Sequence, residues 1–479
     1  MMTAKKIFTN GPLIFVTALI FLVVIFYYWS ISLYIINIPH ADEYGTVLNW
    51  LKRYINSTSF IDKFILLFGQ ANEHRILTCN VTTIFDYYLN GSVNFRRLLW
   101  IANFGLIIFF YLITLLFRNE RRNPWVLFPV ALLIFVPQHA ISDWGVVGLA
   151  SIFQNSLAIA SMIFLSKKGK WNFAVAILLA FFTTFSFGNG MFIFISGYII
   201  LLLVKNKNYR QIIIWSLAMI VSVLLYFTDY NFSYGNGFSL YFLSHPFETL
   251  QFFFTFFGGI FQPFIKSNLI FYTISGAFIF MLFLSILIVK WTQTKKNAVA
   301  LSIASFIILS IAASAVSRVE FGIVAATSPR YMLFQVLFLV ILYFLFFDTI
   351  KKNRFTFVAI LVLLSGVLFY GRYQLNFDQM NRHKNRLKED MFYYHTDFKK
   401  INSSNPLVIK NTLDQSAAIG IYSPPSLQVL YPDIKLLKTT IQSNVFDDLV
   451  FKVESFDDFP NATSIKGWAF GKANNFVND

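Results

Sequence analysis

Long apolar runs separated by short basic clusters dominate this chain and restrict what it can fold into. The first run extends from about residue 12 to residue 36, and others follow as far as residue 371. Because a helix needs about 20 apolar residues to cross a bilayer, the pattern predicts an all-α polytopic membrane protein. Composition agrees, since 57% of the residues are hydrophobic and only 13% are charged, against about 25% charged in soluble domains.

The basic clusters between the runs predict the topology. They carry most of the formal net charge of +16, and cytoplasmic loops of membrane proteins are rich in Lys and Arg. This topological explanation gives no reason to expect nucleic acid as a partner. Lys5 and Lys6 precede a first run that is longer than the apolar core of a cleaved signal. We therefore expect an uncleaved anchor, a cytoplasmic N-terminus and an extracytoplasmic C-terminus.

The number of spans depends on residues 171–204, which lie between two cytoplasmic basic clusters. They form either a tight hairpin that turns at residues 187–190 or a re-entrant loop, so the expected count is eleven spans, or nine. The Phe-rich stretch 247–265 is expected to be interfacial or re-entrant, because only one crossing fits between residues 229 and 290.

Two units are expected from the distribution of polar residues. Residues 1–371 form a transmembrane module with a large outer loop at 37–95, and residues 372–479 form a small mixed extracytoplasmic domain. Within that domain the segments 407–409, 427–430 and 465–470 have a β-like composition.

The outer loop begins with the acidic pair Asp42 and Glu43, close to the predicted bilayer surface. Charges there are costly unless they serve chemistry, ion handling or pairing, and a carboxylate could take a proton from a sugar hydroxyl. The alternative is a solvated pair at a helix end. Adjacent residues point in opposite directions, so only one of the two carboxylates is expected to face a reacting group.

Further along the same loop, Glu73, His74 and Arg75 place a carboxylate, an imidazole and a guanidinium in succession. Arg binds phosphate oxygens bidentately, so the cluster suits a sugar phosphate. The alternative is the polar face of an amphipathic helix. A single imidazole is weak evidence for a metal site, and we assign no metal ligands.

Two further outer loops contain candidate residues. Asp143 is the only acidic residue between Glu120 and Asp229, and its neighbour Trp144 could stack on a sugar ring; the alternative is an N-cap of the next helix. Arg318 and Arg330 lie on the side where basic residues are rare, which favours an anion such as a lipid phosphate. Their alternatives are snorkelling or a pair with Glu320.

An Asp-Glu pair after the first span, followed by an acidic residue in the second outer loop, resembles the GT-C superfamily of polyprenyl-phosphate-sugar glycosyltransferases. The layout is also similar to that of the phage-type serotype-converting O-antigen glucosyltransferases. The resemblance implies that Asp42 is the catalytic base, with Glu43 as its companion, and that Asp143 occupies the second acidic position. Some branches use a divalent metal there, but they carry a paired acidic motif, so the lone Asp143 leaves a metal open.

The resemblance also implies the reaction and its partners. A sugar, with glucose as our choice, would pass with inversion from undecaprenyl phosphate to a lipid-linked surface glycan such as O-antigen. The enzyme would act at the outer face of a bacterial inner membrane, among membrane lipids. Two rival functions remain, a glycan polymerase or ligase and a lipid-oligosaccharide flippase or transporter.

Overall fold

The structure is a computed structural model of the chain. It describes residues 4–117, 123–203, 208–231, 240–265, 267–350, 352–431, 449–459, 462–471 and 476–477. The basic clusters at 118–122 and 204–207 and the tail segment 432–448 lie outside the described residues.

Helices account for most of the described chain. In order they are α1 (Ala4–Ser32), α2 (Trp50–Asn56), α3 (Phe60–Leu67), α4 (Leu77–Asn90), α5 (Phe95–Thr114), α6 (Pro124–Ile134), α7 (Gly145–Leu165), α8 (Lys170–Ser186), α9 (Phe192–Leu203), α10 (Tyr209–Phe227), α11 (Tyr241–Ser244), α12 (Pro246–Gly258), α13 (Leu269–Val289), α14 (Trp291–Thr294), α15 (Ala298–Arg318), α16 (Met332–Thr349), α17 (Arg354–Thr396), α18 (Pro406–Ala418) and α19 (Leu427–Leu430). Strands β1 (Gln70–Ala71) and β2 (His74–Arg75) pair in the outer loop, and β3 (Leu449–Phe459), β4 (Ala462–Gly471) and β5 (Phe476–Val477) form an antiparallel sheet in that order.

Eight helices in the described part of the chain are long and apolar enough to cross a bilayer: α1, α5, α7, α10, α13, α15, α16 and α17. Three shorter apolar helices lie between these: α6 between α5 and α7, and α8 and α9 between α7 and α10. The predicted class, a helical protein with many apolar membrane-length helices, is therefore confirmed. The number of crossings and the GT-C architecture stay predictions.

Of the segment 171–204, the described residues 171–203 form a helical hairpin whose turn lies within the bundle. A 3-10 turn, Gly188–Met191, joins α8 to α9. The 12 residues of α9 extend about 18 Å, well short of the roughly 30 Å hydrocarbon core. Gln154, near the middle of α7, donates hydrogen bonds to the Phe187 carbonyl and the Asn189 side chain at 3.2 and 3.0 Å. The hairpin is therefore a tight turn that lies level with the middle of α7 and below its start, and the number of crossings that it contributes stays a prediction.

The Phe-rich stretch 247–265 folds mainly as α12, which packs closely along α13. A Cβ atom on Gly258 or Gly276 would lie 1.8 Å from a backbone oxygen of the facing helix. Small residues at such crossings let helix backbones approach one another within a membrane. Phe252, Phe256 and Phe257 are buried in the main core, so α12 is an integral part of the bundle.

Helix α17 continues without a break through the boundary predicted at residue 371. Its 43 residues extend about 65 Å, which is more than twice the thickness of a hydrocarbon core. The first part of the predicted tail domain is therefore the continuation of a membrane-length helix.

The prediction of β-like runs at 407–409 and 427–430 is wrong. The first lies in α18 and the second is α19. Asn405 accepts a hydrogen bond from the Val408 amide at 3.3 Å, and Pro406 is the first helical residue, two start signals that override a short β-branched run. The third run, 465–470, does lie in strand β4.

The outer loop and residues 387–431 share one hydrophobic core. Leu51 and Leu98 pack in the same cluster as Leu387 and Tyr422. The Tyr422 hydroxyl donates to the Asn37 carbonyl at 2.9 Å, and the Val93 amide donates to the Ile421 carbonyl at 2.8 Å. This shared core, which we call the outer cap, fixes the loop that contains the acidic pair.

Because successive helices alternate in direction, the bundle has two different ends. The outer cap, the loop 135–144 and the segment 319–331 lie at one, here called the cap end. The described basic residues at the other end are Lys167, Lys168, Lys170, Arg210, Lys290, Lys295, Lys296, Lys352 and Arg354. This asymmetry has the form expected of a positively charged cytoplasmic side, while the orientation in a membrane stays a prediction.

Candidate functional site

The two residues of the acidic pair lie in different environments. Asp42 is exposed to solvent, whereas Glu43 is only 2% exposed. This divergence was expected for adjacent residues in a turn. At this position the accessible carboxylate belongs to Asp42.

Glu43 provides the acceptor for the start of α7. One of its oxygens accepts a hydrogen bond from the Val146 amide at 3.1 Å, and the other accepts from the His40 amide at 2.7 Å. Trp144, which precedes the helix, has no capping side chain, so Glu43 satisfies an amide that would otherwise lack a partner. A Cβ on Gly145 would lie 2.8 Å from the Glu43 carboxylate, which explains the glycine there.

Burial raises the pKa of Glu43 to about 7, although the backbone amides of His40, Val146 and Gly145 act to lower it. A carboxyl in this position can change charge near neutral pH. Its bonds identify Glu43 as a positioning residue that joins the outer cap to α7, rather than as a group open to substrate.

Asp143 forms a buried pair with His139, one helical turn before it. Its Oδ2 atom lies 2.8 Å from His139 Nδ1, and its Oδ1 atom accepts from the Ala140 amide at 2.6 Å. The side chain of Asp143 is 2% exposed and that of His139 is 25% exposed. Asp143 therefore does not cap α7, as the alternative reading proposed, but stabilises the turn at Ala140, where φ is +67°.

Burial acts to raise the pKa of Asp143, but the hydrogen bond and charge of His139, together with His383 and the Ala140 amide, hold it below its usual value. In the neutral form of His139 that carries its proton on Nδ1 and donates it to an ionised Asp143, the other ring nitrogen is an acceptor. A carboxylate that orients an imidazole in this way is a common arrangement for a general base.

Two more histidines surround this pair. The His40 ring contacts those of Trp144 and His383, with centroids 5.0 and 4.4 Å apart, and His139 lies 5.4 Å from His383. Burial lowers the pKa of His40 to about 3, and His383, His139 and Arg386 add to the shift. Trp144 thus packs its ring edge to face with His40, and its indole nitrogen is buried.

The histidine cluster does not form a metal site in the described part of the chain. No group of three or more His, Cys, Asp or Glu side chains there has an arrangement that could hold a metal ion. The side chains of His139 and Asp143 bond to each other, and the rings of His40 and His383 pack edge to face.

Arg75 has a different role from the one expected of it. It is 7% exposed, and its guanidinium donates to the carbonyls of Phe68, Tyr226 and Thr228. The bonds to Tyr226 and Thr228 join the outer loop to the end of α10, and the bond to Phe68 lies within the loop. With its donors directed at backbone oxygens, Arg75 is a structural clamp rather than a phosphate ligand.

Glu73, His74, Arg318 and Arg330 come together beside the turn between α8 and α9. Arg318 forms an ion pair with Glu73, rather than with the Glu320 that the sequence offered. The His74 ring lies 4.2 Å from that of Phe187, and a Cβ on Gly188 would lie 2.7 Å from His74 Nδ1. We call these four residues the arginine cluster.

The arginine cluster has unsatisfied hydrogen-bonding capacity and an excess of positive charge. Burial lowers the pKa of His74 to about 4, and the charges of Arg318 and Arg330 lower it further, so His74 is neutral at pH 7. Arg330 Nε is buried without a hydrogen-bond partner among the described residues, and its guanidinium lies 5.3 Å from the Tyr331 ring. Two guanidinium groups and one carboxylate leave a net charge of +1, which suits an anion.

Helix α7 sets the distance between the acidic turn, which contains Asp42 and Glu43, and the arginine cluster. Its first turn contacts Glu43 through Val146, and Gln154 contacts the hairpin turn beside His74. The step of eight positions from Val146 to Gln154 corresponds to about 12 Å along the helix axis. The acidic turn thus lies near the start of α7 and the arginine cluster lies deeper in the bundle.

Sequence reasoning missed three histidines of this site: His40, His139 and His383. A signal was present for His139, because a His four residues before an Asp places the two side chains on one face when the segment turns as a helix does. His383 could not be found in this way, since only the path of α17 brings it to the loop.

The described site therefore contains an exposed carboxylate, a His–Asp pair and a cationic cluster at the cap end of a bundle of apolar helices. Comparison with protein-family models, with curated proteins and with solved structures gives no match for this chain.

Proposed function

We propose that this protein is a membrane glycosyltransferase of the GT-C type. It would transfer a sugar, with glucose as our choice, from undecaprenyl phosphate to a lipid-linked glycan such as O-antigen at the outer face of the bacterial inner membrane. The observation that supports this most is the pairing of an exposed Asp42 with a deeper arginine cluster at the same end of the bundle.

The arginine cluster is the proposed site for the donor phosphate. Guanidinium groups match phosphate oxygens, and the buried Nε of Arg330 gains a partner when an anion binds. The turn of the α8–α9 hairpin places the cluster below the start of α7. This depth suits a phosphate whose polyprenyl chain stays in the lipid.

Apolar surfaces of the outer cap fit a membrane interface. Phe60 and Ile61 of α3 are 82% and 68% exposed, and Phe85 and Leu89 of α4 form an exposed apolar stripe. Helices with such faces lie in the interface with their apolar side among the acyl chains. The outer cap would therefore rest on the outer leaflet, where a lipid-linked donor is presented.

The proposed reaction uses Asp42 as the base. Its carboxylate accepts the proton of the acceptor hydroxyl while the hydroxyl oxygen forms a bond to the anomeric carbon of the donor. The bond from that carbon to the phosphate oxygen breaks, and undecaprenyl phosphate leaves with the electron pair. Arg318 and Arg330 stabilise the charge that develops on the phosphate, and inversion follows from attack on the opposite face.

His139 is a second base of this site, because Asp143 orients its imidazole and its ring is partly exposed. A glycan polymerase or ligase, which in the proteins of this kind depends on Arg and His, is accordingly the rival function. Essential Arg318, Arg330 and His139 with a dispensable Asp42 would favour that rival.

The test is sugar transfer by the purified protein from undecaprenyl-phosphate sugars to a glycan acceptor. Asp42→Asn keeps the shape of the side chain and removes the base, so we expect transfer to fall by about 10²–10⁴-fold with donor binding retained. Asp62→Asn is the matched control, because Asp62 is an exposed aspartate of the same loop.

Full activity of Asp42→Asn would end the assignment of Asp42 and direct attention to His139. Absence of transfer by the wild-type protein with every donor would overturn the proposed function in favour of a flippase or transporter, which can be examined by following the movement of a lipid-linked oligosaccharide across vesicles.

A further inference from the structure

Beyond Thr396, at the end of α17, the chain folds back and lines an open cavity that the proposed chemistry does not use. The cavity has a volume of about 510 Å³, within the range of about 300–1,000 Å³ that is typical of ligand sites. Its polar lining includes Arg386, Glu389, Asp390, Tyr393, Lys400 and Asn402.

One face of α17 connects this cavity to the histidine cluster. His383, Arg386 and Asp390 are spaced at i, i+3 and i+7, so they share a side of the helix. His383 contacts His40 in the cluster. At the other end of the face, Asp390 adds to the effect of burial in raising the pKa of Tyr44. The cavity therefore lies on the same helix face as the contact with His40, which is two residues before Asp42 in the chain.

The charges of the lining identify the class of ligand. Two acidic residues, Glu389 and Asp390, offset two basic residues, Arg386 and Lys400, so the cavity has no net charge to attract a phosphate. Carboxylates, amides and cations in alternation offer acceptors and donors in number for a neutral molecule rich in hydroxyl groups. The ring of Tyr393, with Lys400 Nζ 5.9 Å from its centroid, adds an apolar surface against which a sugar ring packs.

The cavity is organised before a ligand binds. Asp390 Oδ1 accepts a hydrogen bond from the Asn402 amide at 2.8 Å, which ties the segment after α17 to the helix. Ile401 is buried beneath it. A cavity that keeps its shape loses less entropy when it binds a small polar ligand.

We propose that this cavity is a saccharide-binding subsite, which holds a neutral sugar residue of the acceptor glycan. The assignment to the acceptor rests on the proposed function, but the binding of a saccharide does not depend on catalysis. The cavity lies about two helical turns along α17 from His383, which contacts His40, so one residue of a glycan would bind there while another extends along the helix face toward the histidine cluster.

The experiment is saturation-transfer difference NMR with the full-length protein in a detergent that has no sugar head group. The probes are glucose, galactose, rhamnose and N-acetylglucosamine, with inorganic phosphate as the competing anion. We expect a transfer signal from at least one saccharide, no competition by phosphate, and a dissociation constant about tenfold higher in Asp390→Asn and in Lys400→Ala, the loss expected for one bond to a charged group.

Lys399→Ala is the matched control, because Lys399 is exposed beside Lys400 and does not line the cavity. Lys400→Ala also guards against misfolding, since Asp390→Asn alters a bond that shapes the segment. The subsite is overturned if no saccharide gives a signal with the wild-type protein, or if neither variant changes the affinity.

The two proposals fail separately. Saccharide binding that depends on Asp390 and Lys400, in a protein without transferase activity, supports the subsite and removes the proposed reaction. Transfer with an acceptor KM that is the same in the wild type and both variants supports the reaction and removes the subsite.

Discussion

Glu43→Gln tests whether the second residue of the acidic pair acts through structure and not through chemistry. Glutamine has the same shape as glutamic acid and stays neutral at every pH. The carboxyl of Glu43 has a pKa of about 7 in the folded chain, against an ordinary value near 4.5. The folded state therefore holds this proton more tightly than the unfolded chain does.

The direction in which the stability changes with pH follows from that difference in pKa. A raised acid pKa contributes stability that is present below pH 4.5 and is lost as the pH rises through 7. Between pH 5 and pH 8 the wild type should lose about 2.5 kcal/mol through Glu43 alone, a figure worked from the two pKa values at about 1.4 kcal/mol for each unit. The variant lacks this term, so its stability relative to the wild type should increase as the pH rises.

The wild type and Glu43→Gln must be compared at each pH, because His40 and His74 change the stability with pH in the direction opposite to Glu43. Their pKa values are lowered to about 3 and about 4, so the stability they contribute is present above pH 6.5 and is lost in acid. Both histidines remain in the variant, and their contribution cancels in the difference.

The assay is thermal unfolding in detergent, followed by tryptophan fluorescence at pH 5, 6, 7 and 8. We expect the Tm of the wild type minus that of Glu43→Gln to decrease steadily over this range. Asn411→Gln replaces one exposed amide of α18 with another, so it changes no titrating group; it is the control and should show a constant difference. A constant difference for Glu43→Gln as well would refute the reasoning, and the buried carboxyl would then be charged throughout.

Three further substitutions test the framework of the site. Arg75→Lys should lower the free energy of unfolding by about 3 kcal/mol, because one ammonium group cannot serve three carbonyls; an unchanged Tm would contradict the clamp. Gly188→Ala should cost about 1–3 kcal/mol through overpacking against His74, and Gly366→Ala, with open space around its Cβ, is its control. His139→Gln should lower stability by about 1–3 kcal/mol by removing the partner of a buried carboxylate; retention of both stability and transfer would exclude the His139–Asp143 pair from the site.

The sequence predicted the helical class because each long apolar run has only one way to satisfy its backbone in lipid. It also predicted that only one residue of the acidic pair would be accessible, since neighbouring side chains in a turn diverge. A turn at residues 187–190 was one of two predicted alternatives, and the structure has it at Gly188–Met191, where a Cβ on Gly190 would lie 2.0 Å from the Thr183 carbonyl oxygen. Local geometry decided all three.

The same reasoning from local sequence could not predict which residues meet in the folded chain. Arg75 and Arg318 look alike as exposed-loop arginines in the sequence, yet one donates to three carbonyls and the other pairs with Glu73. Which carbonyls or carboxylates they meet depends on the position of α10 and α15 in the bundle. The tail was misread for a related reason, since a β-branched run at 407–409 competes with a capping Asn405 that the pattern of hydrophobicity does not include.

Because α17 is uninterrupted, the number of residues in it determines both how far the saccharide cavity lies from the membrane and in which direction its lining residues face. Each residue in a helix turns the chain by about 100° and advances it by about 1.5 Å. One residue inserted between Tyr370 and His383 would rotate the face that carries Arg386 and Asp390 by about 100°. Seven inserted residues would nearly restore the direction of that face but would move it by about 10 Å along the helix axis. The length of α17 can therefore change without reorienting these residues only by whole helical turns. We expect random insertions there to be far more harmful than insertions in the connections at the end of the bundle opposite the cap end.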